Sequence, residues 1–579
     1  MKRYLLVCIV FLGLLFSISC SDENGTVQDA RPLLTVAGNY PSRVGEVTSS
    51  GVKLGGYLRI NEAADPSSLD PVRTGESAAH NISMQFYDGL MEFDNDLNLQ
   101  HCLAESYEVS EDNLTYTFHL RKGVKFHDNP CFPDGRGREM VASDVKYSYQ
   151  RVVDPKNLPR GAWIFLDLVE GAQEFADGKA QEISGFQVLD DYTFQIRLIK
   201  PFVPFIYRLA MTFAFIVPRE AVEHYGNDFF QNPVGTGPFK FVHWKPRQEV
   251  LMVRNTEYWK KDQDGVQLPY LDGVVYSLVS DYKTEFFKLE TGEMDIITSI
   301  HEDLWSRVID EDMQLLPNYQ KYDLQTRDLF VVQYFGFNLE MAPFKDNKAL
   351  RQAINYAVDR EDIIKYVMNG RGEPAAGIVP PSMPGYTSDV QGYTYDPEKA
   401  RQLLAEAGYP EGKGLPPITL YLNSGGTTNE SIAEAIQGQL ADVGIHINLE
   451  MVEWSQHIQA IDDGKYAFFR LGWIADYPDP ENYLMLMWSK NFPPEGPNYS
   501  RYSNPEFDAL FEKSITIQDR EERFKLYHEA ERIAVEEAPW LFLFYTKRFR
   551  LKQPYLHNLE LNAQEFPLLT YTWLDYDLE

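Results

Sequence analysis

The chain has 579 residues, with 85 acids against 54 Lys and Arg, a net charge of −31 and only four cysteines. So acidic a surface repels phosphates, which excludes a nucleic-acid partner. Only Cys20, Cys102 and Cys131 lie beyond the first 19 residues, and three cysteines are too few for a disulfide scaffold or a cysteine-based zinc site.

At the N-terminus Lys2 and Arg3 precede an apolar run, Tyr4 to Phe16, and the small residues of "SISC" follow. Positive, apolar, then small is the order of a secretory signal. The run falls short of the roughly 20 residues that span a bilayer. A signal peptide is expected over 1–19, with cleavage before Cys20. Ser17–Cys20 resembles the lipobox of bacterial lipoproteins, whose cysteine is acylated, although Ser17 stands where leucine is usual. The alternative is an ordinary signal with a chance cysteine. Removing 1–19 takes away two basic residues and no acids, so −31 becomes −33. Residues 21 to about 50 are polar and without helical period. The span 20–54 is expected as a lipidated cysteine and a flexible tether, which would hold the protein on a membrane.

"DNDLN" (94–98) with Glu105 faintly echoes a calcium loop, but Leu99 stands where the sharp turn needs glycine. A polar hairpin is expected. "LTYTFHL" (114–120) and "YTFQIRL" (192–198) alternate apolar and polar residues, the pattern of half-buried strands. Cys102 and Cys131 are the cysteines left to pair in an oxidising compartment, and their spacing leaves pairing open. In "YDPEKARQLLAEAGYP" Asp396 suits an N-cap, Pro397 the first helical turn and Gly408 the C-terminal cap. "ITLYLN" (418–423) reads as a strand. Ile432, Ile436, Leu440 and Val443 fall on one helical face, and Ile445, Ile447, Leu449 and Met451 then alternate as a strand. The later half is thus α/β, and the first half is richer in hairpins.

No nucleophile elbow, metalloprotease helix or phosphate loop is present. The 11 histidines lack metal-ligand spacing. No catalytic residue, metal or cofactor is expected. The stretch "GWIADYPDPENYL" (472–484) puts Asp476 after an apolar run and before two prolines. It reads either as a solvated loop or as a carboxylate presented to a cation.

"LAESYEVSEDNLTYTFHLRKGVKFHD" (103–128), "VASDVKYSYQRVVDP" (141–155), "NPVGTGPFKFVHWKP" (232–246), "FKLETGEMDII" (287–297), "ALRQAINYAVDREDII" (349–364), "ARQLLAEAGYP" (400–410) and "GWIADYPDP" (472–480) resemble, in order, segments of the extracellular solute-binding proteins of family 5. These serve ABC importers, many of them for peptides. The resemblance runs from about Gly55 to the C-terminus. It implies an α/β, two-lobed clamshell of the periplasmic-binding-protein kind with an extra domain. Domain I would take 55–90, 221–323 and 546–579, domain II 91–220 and domain III 324–545, with hinge crossings near 323 and 546.

The resemblance also implies a monomer that captures a peptide by hinge closure and delivers it to ABC transporter permease subunits. In peptide-binding relatives an aspartate of a W-x-x-D segment takes the ligand amine. Trp473, Ile474, Ala475 and Asp476 match that segment, so Asp476 is expected to hold the amine, with Trp473, Ala475 and Tyr477 beside the ligand. Asp479 and Glu481, beyond Pro478, are expected to be more exposed. Arg470 matches a basic residue of the oligopeptide-binding relative and reads equally as a carboxylate contact or as a structural partner of a nearby acid. Asn355, Thr428 and Ile461 stand where that relative has basic or histidine residues. Another cargo, such as an oligosaccharide or a nickel chelate, and a surface receptor without transport stay open.

Overall fold

The computed structural model describes residues 40–425 and 427–575. The expected signal peptide, Cys20 and the first part of the tether lie outside them. The last part, 40–54, is not free. Ser42 Oγ and the Arg43 amide donate to Asp272, and Leu54 is buried.

Three sheets carry the body. The first has the order Tyr57–Glu62, Gly273–Leu278, Glu249–Arg254, Phe239–Lys245. Its first pair is parallel, Leu58 beside Val274, although more than two hundred residues separate them. The second is antiparallel: Ala104–Val109, Thr115–Leu120, Thr193–Arg197, Phe186–Asp190. Tyr116, Phe118 and Leu120 point inward and the intervening residues are less buried, as the alternation predicts. The inner face meets the helix Ala142–Val153, where Tyr149 packs on Phe165 and Phe194.

The third sheet has the order Gly372–Pro374, Trp540–Lys552, Asp323–Phe337, Phe468–Ile474, Ile418–Asn423, Ile447–Val452. The strand Ile418–Asn423 has the bounds the sequence suggests. The helix Pro397–Glu406 starts where Asp396 accepts from the Lys399 amide, and Gly408, at φ +95°, turns the chain just beyond its end. Ile432, Ile436 and Leu440 form the buried face of Thr427–Asp442. Met451 departs from the expected alternation only in being exposed, because its strand is the sheet edge.

The strands Asp323–Phe337 and Trp540–Lys552 pair almost end to end, with a register break between Asp328 and Val332. Near Lys552 they contact the segment that follows the first sheet, through Ile297 N–H to Leu551 O and Ile300 N–H to Phe549 O. Near Trp540 they form the centre of the third sheet. These two strands join the parts of the molecule.

Asp94 accepts from the Asp96 and Asn98 amides within the hairpin Met91–Phe93/Leu99–His101, so the calcium-like stretch is a polar hairpin. Cys102 and Cys131 are free thiols.

Candidate functional site

The strand Phe468–Ile474 is paired along its whole length on one side, from Phe468 beside Phe337 to Ile474 beside Val331. On its other side it meets a strand only at Phe468 and Phe469. From Arg470 onward that edge has no strand partner among the described residues. An open edge can take an extended backbone as an added strand. Ile474 at its end is 64% exposed.

Asp476 follows, and its backbone is fixed from two directions. Asn482, fully buried, accepts from the Asp476 amide at 2.9 Å and from Trp473 Nε1 at 3.0 Å. Its Nδ2 donates to Asp476 Oδ2 at 3.2 Å. Gln564 Nε2 donates to the carbonyls of Ala475 at 3.2 Å and Asp476 at 3.0 Å. The turn through Pro478 and Pro480 is what brings Asn482 back beneath Asp476.

Ala475 and Asp476 line a cavity of about 720 Å³, together with Glu62, His80, Trp163 and Phe213. That volume suits a small ligand. The Asp476 carboxylate faces the cavity but is otherwise surrounded by protein. Burial pushes its pKa up to about 6, only partly offset by the Asn482 hydrogen bond and the charge of Arg208. No lysine or arginine forms an ion pair with it among the described residues, and Arg208 acts on it through its charge alone.

The other expected site residues lie elsewhere. Trp473 reaches the site through Asn482 and does not line the cavity. Tyr477 is fully buried behind it, its hydroxyl donating to Glu481 and its ring stacked on Tyr207 at 6.1 Å. Arg470 is held by Asn423 Oδ1 at 3.1 Å and Gln333 Oε1 at 2.7 Å, and burial holds its pKa below the usual range. Its partners are neutral amides, whereas the structural alternative had named an acid. Asn355 is buried and hydrogen-bonded to the Trp540 carbonyl and to Arg360, and Ile461 is buried in the core.

Asp479 and Glu481 correct the expectation of exposure. They are 0% and 3% exposed. Asp479 pairs with Arg523 at 3.2 Å, and burial pushes Glu481 up to about 7. The prolines tuck this loop inward, and the countercharge comes from a helix 44 residues away.

Reading from the sequence missed Glu62, Asn81, Gln564 and Glu565, which reach the cavity from distant segments. Only the alternating cations of "KRFRLK" (547–552) carried a local signal there: Arg548 forms a two-pronged pair with Glu565 at 2.5 and 2.9 Å. Among the described residues no group of three His, Cys, Asp or Glu is placed to hold a metal ion.

Residues 98–493 match the profile of the bacterial extracellular solute-binding proteins, family 5. The chain is 35% identical to heme-binding protein A of Haemophilus influenzae, over 83% of this chain and 85% of that protein. It is 32% identical to the dipeptide-binding protein of Escherichia coli, over 77% and 81%. The Helicobacter pylori periplasmic binding protein DppA, solved with the peptide STSA, superposes with a TM-score of 0.72 at 28% identity, covering 90% of this chain and 98% of that one.

Proposed function

Because the chain belongs to family 5 of the bacterial extracellular solute-binding proteins, and is a binding protein of two-lobed α/β fold rather than an enzyme, we propose that it captures peptides with a free amino terminus and hands them to an ABC permease. The observation that carries this reading is the Asp476 carboxylate, held by Asn482 at the wall of a cavity, with its backbone carbonyl fixed by Gln564 and no ion pair among the described residues. The open strand edge before it supplies amide partners for a ligand backbone without reading its side chains. The names of the dipeptide-binding relative and of the peptide-bound neighbour support the same cargo.

In this reading the hinge is the pair of long strands, crossing near 323 and 546, and the lobes are domains I and II against domain III. Tyr207 on Tyr477, Val203 N–H to Ile515 O at 2.8 Å and Gln518 Nε2 to Asn113 Oδ1 at 2.8 Å are contacts across the closed cleft. Small-angle scattering should give a smaller radius of gyration with a saturating free-amine tripeptide. An unchanged radius, with binding shown by calorimetry, removes the hinge.

Cys20 is the proposed lipid anchor, supported by the signal-like residues before it. Wild-type protein should sediment with membranes and Cys20→Ala should not. A wild type found soluble and unacylated contradicts the anchor.

The Haemophilus influenzae relative, named for heme, supports a second cargo reading, and Trp163 and Phe213 give the cavity an aromatic wall. Saturable absorbance changes on hemin titration, competed by peptide, would favour it.

A further inference from the structure

Six carboxylates line the cavity among the described residues, and four of them already have partners. Glu92 is paired with Lys260 and Glu565 with Arg548. Asp88 accepts from Thr236, Tyr258 and Trp259, and Glu76 from the Ser67 amide and hydroxyl. Asp476 and Glu62 have no ion pair and one side-chain donor each, an asparagine.

Their surroundings are alike. Asn482 donates to one Asp476 oxygen, and Asn81 donates to Glu62 Oε1 at 2.8 Å. The second Glu62 oxygen has no hydrogen-bond partner among the described residues. The charges that act on Glu62 are those of Glu285 and Glu565, acids like itself. Arg550, the other arginine at the wall, is turned to Gln325 Oε1 at 2.7 Å and the Leu559 carbonyl. Burial pushes the Glu62 carboxyl up to about 7, as expected of a carboxylate with no cation of its own.

An independent observation concerns the segment that carries Gln564 and Glu565. Gln564, whose Nε2 fixes the Asp476 carbonyl, adjoins Glu565, the acid that faces Glu62. Gln564 Oε1 is buried and has no hydrogen-bond partner. Its orientation is set, because the amide nitrogen already donates to two carbonyls. One cavity therefore presents two carboxylates short of donors, and an unmet amide oxygen lies in its wall. A buried acceptor is costly to leave unmet.

We propose that Glu62 is a second cation subsite and determines specificity: the preferred ligand is a short peptide with a lysine or arginine side chain close to its free amine. The α-ammonium lies at Asp476 and the side-chain cation at Glu62. This deepens the peptide reading above and rests on it. It names a ligand class, since one ammonium meets only one of these two carboxylates.

Calorimetry with Ala-Ala-Ala, Lys-Ala-Ala, Ala-Lys-Ala, Ala-Arg-Ala and their norleucine counterparts tests it. Wild-type protein should bind at least one basic peptide about ten-fold or more tighter than its norleucine isostere. Glu62→Gln keeps an acceptor for Asn81 and removes the charge. It should bring that ratio to about one, whatever it does to affinity as a whole. If peptides bind but wild type shows no preference, or Glu62→Gln keeps the preference, the subsite is wrong and the peptide reading stands. If folded wild type binds none of the panel, both fall together.

Discussion

Asp476→Asn is expected to weaken binding of a free-amine peptide by about 2–5 kcal/mol, between one and four decades in Kd. The size follows from the setting. The carboxylate is largely surrounded by protein, where a charge-assisted hydrogen bond is worth roughly 1.5–3 kcal/mol. Losing it also strands the ligand's ammonium out of water. Asparagine keeps the shape, and the backbone contacts of Asn482 and Gln564 do not depend on the side-chain charge.

A pH series gives the same test without a substitution. The peptide amine stays protonated below neutrality. Asp476, pushed up to about 6, loses its charge as pH falls through that value, and affinity should fall with it. The sign for the unliganded protein is the reverse. A carboxyl whose folded pKa is raised binds more protons folded than unfolded, so between its ordinary range and about 6 its contribution to stability falls as pH rises. Unliganded Asp476→Asn should therefore be at least as stable as wild type at pH 7.5, while binding is lost.

Asp479→Ala should behave in the opposite way. Asp479 and Arg523 form a buried pair, and Asp479 also accepts from the Glu481 amide at 3.0 Å. Removing one partner of a buried ion pair strands the other and costs about 3–5 kcal/mol. The expected result is a clearly lower thermal midpoint, with Arg523→Ala similarly impaired and the double variant less than the sum. Because Asp479 supports the loop that carries Asn482, some binding is lost too, but at a temperature where the variant is folded the preference for a free amine over an acetylated one should persist. An Asp479→Ala protein as stable as wild type contradicts the role given to the pair.

The sequence was legible where a pattern is local. Alternation placed Thr115–Leu120 and Ile418–Asn423, and the Asp-Pro start and Gly408 bounded the helix Pro397–Glu406. It was silent where partners are remote. Nothing in Tyr57–Glu62 announces a parallel partner at Gly273–Leu278, and nothing near Pro478 announces Arg523. Proline and acid together suggested a solvated loop. The fold instead used the prolines to turn Asp479 and Glu481 inward. Asp476 itself was found through the W-x-x-D resemblance. Its exposure to a cavity, and the company of Glu62 and Gln564, arise only when chain segments far apart in sequence converge.

The most direct measurement is a cycle that pairs Asp476→Asn with acetylation of the ligand amine, read by calorimetry on one tripeptide. Acting on the same contact, the two changes should not add: the acetylated peptide should bind wild type and variant nearly equally, giving a coupling of about 2 kcal/mol or more. Strictly additive effects, with a coupling near zero, would mean that the amine is held elsewhere and that Asp476 is not its partner.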